Sequence, residues 1–322
     1  MTKSKRSRLT LGISMKKHWL RRAATTLAIT ALGIATLPAW ATEGGLTEFP
    51  IGVDTAVPAL MPEPGGTILL SYTQFYVAHR LNDGNGNKAV PSFGVDVEAE
   101  APKLVHTWAN VHGFDFGSGL VQPIVNTDLV VVPGLVTGHD FNFGDTNLIP
   151  LMVHTDVGSG LHLAIATNIW FPDGHYDVRN PASQGLHRTT IGQQFMTTWL
   201  PTSRWNLSTS TIVEFGSGNS KTHYYSGSYV NTDFHVGYRL FEALPKLELG
   251  LQGFYMVQYE NDRQYGFVLG SDGRKGRAGG FGPQIVYDAW KHGGIVLKYQ
   301  REVGVENRSE GDRTWLQLAI PL

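Results

Sequence analysis

The sequence predicts an all-β fold, namely a transmembrane antiparallel up-and-down β-barrel of about twelve strands. From about residue 65 onward, apolar and polar residues alternate with a period of two, and no convincing helical periodicity interrupts them. Aromatic residues collect toward the ends of the predicted strands, where amphipathic rings meet a lipid–water boundary. Short connections alternate with generally longer ones, as in barrels of the outer membrane.

The composition excludes several classes of protein. The 322 residues include 38 glycines and no cysteine, and 16% of them are charged, against roughly 25% in a typical soluble domain. The absence of cysteine excludes disulfide scaffolds, iron–sulfur clusters and cysteine nucleophiles. All 27 acidic residues, but only 18 of the 26 basic ones, follow residue 41. The body of the chain is therefore acidic, and a nucleic-acid partner is not expected.

Residues 1–41 predict a cleaved signal peptide. Basic residues between positions 16 and 22 precede an apolar stretch from Ala23 to Leu37, and Ala39-Trp40-Ala41 forms an A-x-A cleavage site. The stretch is shorter than the ~20 residues that cross a bilayer, which disfavours the alternative of a membrane anchor. No later stretch approaches 18 consecutive apolar residues. We therefore expect an exported protein without helical membrane spans.

Residues 42–65 differ from the rest of the chain because they are rich in proline and glycine. Proline at this density blocks the hydrogen-bonded ladder of a sheet. The segment nevertheless carries apolar side chains at Leu46, Phe49, Ile51, Val53 and Leu60. It is predicted either to fold into the barrel as a plug-like lumenal segment or to extend into the periplasm as a tail.

Residues 66–322 are predicted to form the barrel. In six strands that sort cleanly, one face carries 31 residues of which none is charged, while the other face is rich in Asn, Gln and Ser. A soluble sandwich would instead expose Lys and Glu on its polar face. In lipid no water satisfies an open strand edge, so the sheet is expected to close. The twelve strands are predicted near residues 66–79, 95–112, 119–132, 147–157, 160–171, 190–200, 204–216, 222–239, 246–260, 276–288, 294–303 and 313–322.

The connections and the last strand support the same topology. Residues 158–160 and 201–203 are predicted short turns, whereas 133–146, 172–189 and 261–275 are predicted longer outer loops. The last strand places a row of apolar residues on one face. We interpret this row as the signal read by the barrel assembly machinery: Leu316, Leu318, Ile320 and Leu322.

No motif for enzymatic chemistry occurs in the chain. The sequence lacks a nucleophile elbow, a P-loop and an H-E-x-x-H zinc motif, so neither an enzyme, a metal nor a cofactor is expected. Lumenal polar residues, together with four apolar residues that interrupt the polar face, are the candidates for a solute path. The four apolar ones either bind a hydrophobic solute or pack beneath residues 42–65. The candidates are His162, Trp170, Ile212, Glu214, Asp233, His235, Phe254, Met256 and Lys298.

Several stretches carry a family resemblance. Pro62-Glu63-Pro64-Gly65-Gly66 precedes an aromatic first strand, and Gly144-Asp145-Thr146-Asn147-Leu148-Ile149-Pro150 and Thr222-His223-Tyr224-Tyr225-Ser226-Gly227 follow further along. With these, the chain from about residue 44 to 322 resembles the outer-membrane family named for the meta-pathway of phenol degradation. Two departures are the turn Phe171-Pro172-Asp173-Gly174 and the ending Pro321-Leu322, where a terminal Phe is usual. The resemblance implies a barrel transporter for hydrophobic compounds and brings no catalytic residues.

The expected function is an outer-membrane channel that passes small hydrophobic compounds, aromatic ones among them, by passive diffusion. Its expected partners are outer-membrane lipid, the barrel assembly machinery and the small solute itself. Two alternatives come from other classes. A membrane-embedded hydrolase would use a site near the outer rim, with Ser226 and His223 as candidates by location, and a purely structural barrel would transport nothing.

Overall fold

The computed structural model describes residues 43–322, so the predicted signal peptide lies outside the described residues. These residues form one short 3₁₀ helix, Glu43–Gly45, and seventeen strands. Within them, no helix has the length and apolar character needed to cross a bilayer. The strands are β1 Thr67–Leu81, β2 Gly94–Val111, β3 Phe114–Val121, β4 Ile124–Val132, β5 Val136–Phe143, β6 Asn147–Gly158, β7 Leu161–Trp170, β8 Thr190–Trp199, β9 Trp205–Gly216, β10 Tyr224–Tyr225, β11 Tyr229–Tyr238, β12 Leu247–Gln258, β13 Arg263–Gln264, β14 Phe267–Val268, β15 Arg277–Trp290, β16 Gly293–Glu306 and β17 Ser309–Pro321.

Twelve of these strands form a closed antiparallel barrel. The first strand closes it, because Ile68 of β1 pairs with Pro321 of β17 on one side and with Val105 of β2 on the other. Closure leaves neither the first nor the last strand with an open edge to meet lipid. The predicted fold class is confirmed. Around the barrel, the strands follow the order β1, β2, β3, β6, β7, β8, β9, β11, β12, β15, β16 and β17.

The barrel turns its apolar residues outward. Along β12, Leu251 is 69% exposed, whereas its neighbour Gln252 is 1% exposed and faces the lumen. Phe195 and Phe234 are likewise exposed, and the alternate positions Asn206 and Ser208 are buried. This is the reverse of a soluble sandwich and matches a barrel whose exterior meets acyl chains.

Aromatic side chains mark the ends of the exterior band. Trp199, Trp205 and Tyr238 lie at one end of the barrel, and the rings of Trp205 and Tyr238 pack with centroids 4.7 Å apart. Phe215 and Tyr259 lie exposed at the other end. Such rings combine an apolar body with a polar edge or hydroxyl and are typical of the two membrane interfaces.

The two ends of the barrel differ in their connections. The start of β1 and the end of β17 lie at the same end, together with short turns such as 112–113, 159–160 and 291–292. Because short turns of outer-membrane barrels face the periplasm, we refer to this as the periplasmic end and to the opposite one as the outer end. At the outer end, β10, β13 and β14 form a small separate sheet.

The structure corrects the predicted organisation of residues 114–146. The expected strand 119–132 is two strands, β3 and β4, which both pair with the long strand β2 and are separated by Gln122-Pro123. The expected loop 133–146 is mostly strand β5, which pairs with β4, so that only 133–135 form the turn. The glycines of β3 and the polar residues of β5 interrupt the alternation that predicts a strand. Strand β5 forms because it pairs with β4 in a hairpin. Similarly, the predicted strand 222–239 begins its barrel portion only at Tyr229.

Residues 43–66, here named the lumenal segment, run through the barrel from the outer end to the periplasmic end. At the outer end, the backbone N–H of Glu43 donates to Ser226 Oγ (3.3 Å) and its carboxylate accepts from Asn219 (2.8 Å). At the periplasmic end, the N–H of Gly65 donates to the carbonyl of Thr107 (2.8 Å). Between these points the segment forms no strand, and its backbone groups bind side chains of the barrel wall.

Candidate functional site

Asp233 on β11 binds the backbone of the lumenal segment. Its two carboxylate oxygens accept hydrogen bonds from the N–H groups of Gly52 and Asp54, both at 2.9 Å, and one of them also accepts from Asn231 (2.7 Å). The carboxylate is fully buried. A buried charge needs such partners, because removal from water is otherwise costly. Asp233 therefore satisfies backbone donors that the segment cannot place in a ladder.

Lys298 on β16 binds the same turn of the segment from the other side. Its Nζ donates to the carbonyls of Gly52 and Val53, both at 2.7 Å, and to Thr55 Oγ1 (2.8 Å). All three ammonium donors thus find acceptors. Gln300 adds a further bond to the Gly52 carbonyl (2.9 Å).

Glu214 on β9 holds the preceding part of the segment. Its Oε2 accepts from the N–H of Phe49 (3.1 Å) and from the hydroxyl of Tyr229 (2.5 Å). Glu214, Asp233 and Lys298 therefore act on residues 49–55 together, although they come from three different strands.

The four apolar candidates lie against the same residues. Trp170 and Ile212 form a buried cluster with Phe49, Val53 and Trp315. Phe254 and Met256 belong to a second buried cluster, which also contains Ile51 and Tyr229. The structure thus places these side chains around apolar residues of the lumenal segment.

The two histidine candidates lie apart from this group, toward the periplasmic end. His235 Nε2 hydrogen bonds to Glu248 Oε1 (2.9 Å), and both side chains are buried. His162 stacks on His154 with ring centroids 5.5 Å apart. Among the described residues, no group of three or more His, Asp or Glu side chains has the arrangement of a metal site.

A cavity of about 310 Å³ lies between the lumenal segment and the wall formed by β1, β2 and β4. Among the nine candidates, only Trp170 lines it. Most of its other large lining side chains are apolar or aromatic, and they come from the segment and from inward positions of the wall: Phe49, Val53, Tyr72, Tyr76, Phe93, Val95, Leu129 and Trp315. A largely apolar cavity of this size suits one small apolar molecule.

This cavity was not predicted from the sequence, because β1, β2 and β4 do not alternate cleanly between apolar and polar residues. Their inward positions Tyr76, Val95 and Leu129 are apolar and buried, while many outward positions are apolar as well. An apolar run on both faces gives no sign of which side faces the lumen. The signal in the sequence was the lack of alternation itself, since the inner positions of β9 and β11 are mostly polar.

Polar groups line parts of the same cavity. Arg313 forms an ion pair with Glu302 (2.7 Å), and its guanidinium lies over the ring of Tyr76, 4.8 Å from the centroid. Asp145, in the connection before β6, accepts from the N–H groups of Gly174 and Leu186, both at 2.8 Å. Burial raises the pKa of the Asp145 carboxyl. The cavity therefore combines apolar walls with a few polar groups that have fixed partners.

The residues of the predicted assembly signal lie on the barrel exterior, and the two hydrolase candidates contact neighbouring side chains or backbone. Leu316, Leu318, Ile320 and Leu322 alternate with the buried Trp315 and Gln317, so they lie on the outward face at the end of the chain. Ser226 Oγ binds the N–H of Glu43, and the ring of His223 packs on Tyr265 with centroids 4.9 Å apart.

The closed barrel, its outward apolar face and its filled lumen define an outer-membrane β-barrel. A family model described as "Putative MetA-pathway of phenol degradation" matches residues 78–318. The chain belongs to this family, which confirms the resemblance found in the sequence. The comparison with curated proteins finds no match.

Solved structures show the same fold. An outer membrane channel from Pseudomonas putida superposes with a TM-score of 0.73 at 14% sequence identity, covering 85% of this chain and 100% of that chain. The β domain of the Bordetella autotransporter BrkA gives a TM-score of 0.50 at 10% identity and covers 81% of this chain and 100% of that chain. At these identities the likeness concerns the fold, which is that of outer-membrane barrels.

Proposed function

We propose that this protein is a passive channel for small hydrophobic molecules, aromatic ones among them, across the outer membrane. The observation that carries the proposal is the apolar cavity of about 310 Å³ inside the barrel. A purely structural barrel has no need of an apolar cavity beside a polar lumen. The family of the chain and the channel fold of its structural relative agree with this function.

In the proposed mechanism, the lumenal segment acts as a movable plug. It occupies the lumen beside the cavity, and polar side chains such as Asp233 and Lys298 hold its backbone. Water can replace these hydrogen bonds when the segment shifts, although each one, made to a charged group, contributes about 1.5–3 kcal/mol. A solute enters the cavity from the outer end, the segment shifts, and the solute diffuses down its gradient without nucleotide hydrolysis.

The role of the last strand belongs to the same proposal. The outward row from Leu316 to Leu322 serves as the recognition signal for the barrel assembly machinery, which inserts the protein into outer-membrane lipid. Changing Leu316 and Leu318 to Ser would then lower the amount of folded protein in the membrane. The same two changes at the outward residues Leu163 and Ile165 of β7 are the control. Equal losses from both pairs would contradict a special role of the last strand.

Uptake by intact cells tests the channel. Cells that lack their own aromatic channels would be compared with and without this protein, using labelled benzyl alcohol and initial rates of uptake. A clearly faster initial rate with the protein is expected. An equal rate, with the barrel shown to be folded in the membrane, would overturn the proposal in favour of a structural barrel.

A second measurement addresses the cavity. Trp170→Ala enlarges the cavity and removes an aromatic wall, while Trp199→Ala removes an aromatic residue from the exterior surface. Only the first change is expected to alter the uptake of benzyl alcohol. Equal uptake in the two variants would remove the cavity from the solute path.

A further inference from the structure

Two arginines line the cavity, and among residues 43–322 only one of them has hydrogen-bond partners for its side chain. Arg313 on β17 pairs with Glu302 (2.7 Å) and also approaches the carbonyl of Ile51 (3.4 Å). Arg308, in the turn between β16 and β17, is 6% exposed. Its Nη1 is buried and has no hydrogen-bond acceptor among residues 43–322. A buried guanidinium donor without an acceptor is energetically costly, so we expect a hydrogen-bond acceptor to bind Arg308.

The neighbouring carboxylate is already occupied. Glu302 holds Arg313 with Oε1, while its Oε2 accepts from the hydroxyl of Tyr76 (2.9 Å) and from the N–H of Gly311 (2.8 Å). Two guanidinium groups thus share one carboxylate, which leaves one positive charge uncompensated. Burial lowers the pKa of Arg308, in accordance with the cost of its charged form at this place.

Two of the three acids that line the cavity have other partners. Asp54 accepts from Gln194 Nε2 (2.7 Å), and Asp145 accepts from the N–H groups of Gly174 and Leu186, both at 2.8 Å. The third acid is Glu48, whose Oε1 has no hydrogen-bond partner among residues 43–322. The uncompensated charge at Arg308 remains for a molecule that enters the cavity.

We propose that the cavity binds small aromatic carboxylates, with the ring among its apolar walls and the carboxylate on Arg308. The assignment rests on the proposed channel function and names a substrate class for it. A cavity of about 150 Å³ holds benzene, so 310 Å³ leaves room for a ring and its carboxylate. Guanidinium is the side chain best suited to carboxylates, because its donors form a planar fork.

Binding of two matched probes to the purified protein tests the site. Benzoate and benzamide share ring and size, but only benzoate carries a charge. Titration would be followed through tryptophan fluorescence, since Trp170 and Trp315 line the cavity. The wild-type protein is expected to bind benzoate more tightly. Arg308→Gln is expected to weaken benzoate binding by about tenfold or more, as for a lost hydrogen bond to a charged group, and to leave benzamide unchanged.

Two further variants keep the test specific. Arg308→Lys retains the charge and is expected to restore part of the preference for benzoate. Arg179→Gln removes an arginine that is exposed in an outer loop and pairs with Asp177, so it should change neither affinity. Unchanged benzoate binding in Arg308→Gln, or an equal loss for both probes, would overturn the proposal.

The uptake assay separates this inference from the channel function. If benzyl alcohol is taken up but benzoate binds no better than benzamide, the substrate class is wrong and the channel stands. If benzoate binds through Arg308 but the protein accelerates no uptake, the site stands and the channel is wrong.

Discussion

Two oppositely charged side chains of the barrel wall bind different backbone groups of the lumenal segment. Asp233 accepts from the N–H groups of Gly52 and Asp54, and Lys298 donates to the carbonyls of Gly52 and Val53. A short irregular turn needs both kinds of partner, because no neighbouring strand provides them. The acid of the lumen therefore lies at the N–H donors of the segment, and the base lies at its carbonyl acceptors.

Asp233→Asn is expected to loosen the segment. An amide has one acceptor oxygen where the carboxylate has two, so one of the two backbone N–H groups loses its partner, at a cost of about 1–3 kcal/mol. The amides of residues 51–56 should then exchange their hydrogens faster, as measured by mass spectrometry. Asp128→Asn is the control, since Asp128 is exposed and pairs with His139 on the neighbouring strand, away from the lumenal segment. Unchanged exchange in the Asp233 variant would contradict the anchoring role.

Gly52 has little freedom to change. Its φ is +82°, and a Cβ at this position would lie 2.5 Å from Gln300 Nε2 and 2.8 Å from Phe254 Cδ1. Gly65 has a similar φ of +84° but nothing within 4 Å of the added Cβ. A substitution at either glycine would therefore strain the backbone, but only a substitution at Gly52 would also clash with neighbouring side chains.

Gly52→Ala is accordingly expected to displace the segment more than Gly65→Ala does. Both changes pay about 1–2 kcal/mol for a left-handed residue, and only the first adds a steric clash. Limited proteolysis in the segment measures the difference. Equal cleavage rates would show that the crowding around Gly52 relaxes without moving the backbone.

At the scale of elements, the lumenal segment and the barrel have separate sources of stability. The strands are joined by a complete ring of ladders, whereas the segment contributes no strand to it. Removal of part of the segment therefore leaves the ring intact. It also leaves buried polar groups such as Asp233 and Lys298 facing water, which can hydrate them.

Deletion of residues 46–60 is expected to open the lumen. Conductance in planar bilayers should rise, and small polar solutes should enter liposomes that exclude them with the full chain. The heat-modifiable mobility of the barrel in gels checks that the variant is folded. A folded variant with the conductance of the wild-type protein would favour a segment that does not obstruct the lumen.

At the scale of the whole molecule, lipid is the solvent for the outward face. Leu251 lies near the middle of β12 and is 69% exposed, so an arginine there meets the hydrocarbon interior. Such a change costs about 2–4 kcal/mol at the bilayer midplane. Leu251→Arg should lower the folded fraction in vesicles. Leu135→Arg is the control, since Leu135 is 84% exposed but lies in the outer turn 133–135. Equal folding of the two variants would argue against a lipid-facing β12.

The pattern of residues along the chain was enough to predict the barrel, about twelve strands and the face that meets lipid. These features follow from a period of two and from aromatic residues at strand ends, which are local properties of each strand. Strand β5 escaped detection, because its short polar stretch becomes a strand only through pairing with β4.

The contents of the lumen depend instead on contacts between residues that are far apart in the chain. The contact between Phe49 and Glu214 joins residues 165 positions apart, and the one between Lys298 and Gly52 joins residues 246 positions apart. No periodicity encodes such contacts, since they depend on barrel closure and on the path of an irregular segment. The cavity beside that segment, and the unpaired Arg308 at its wall, exist for the same reason.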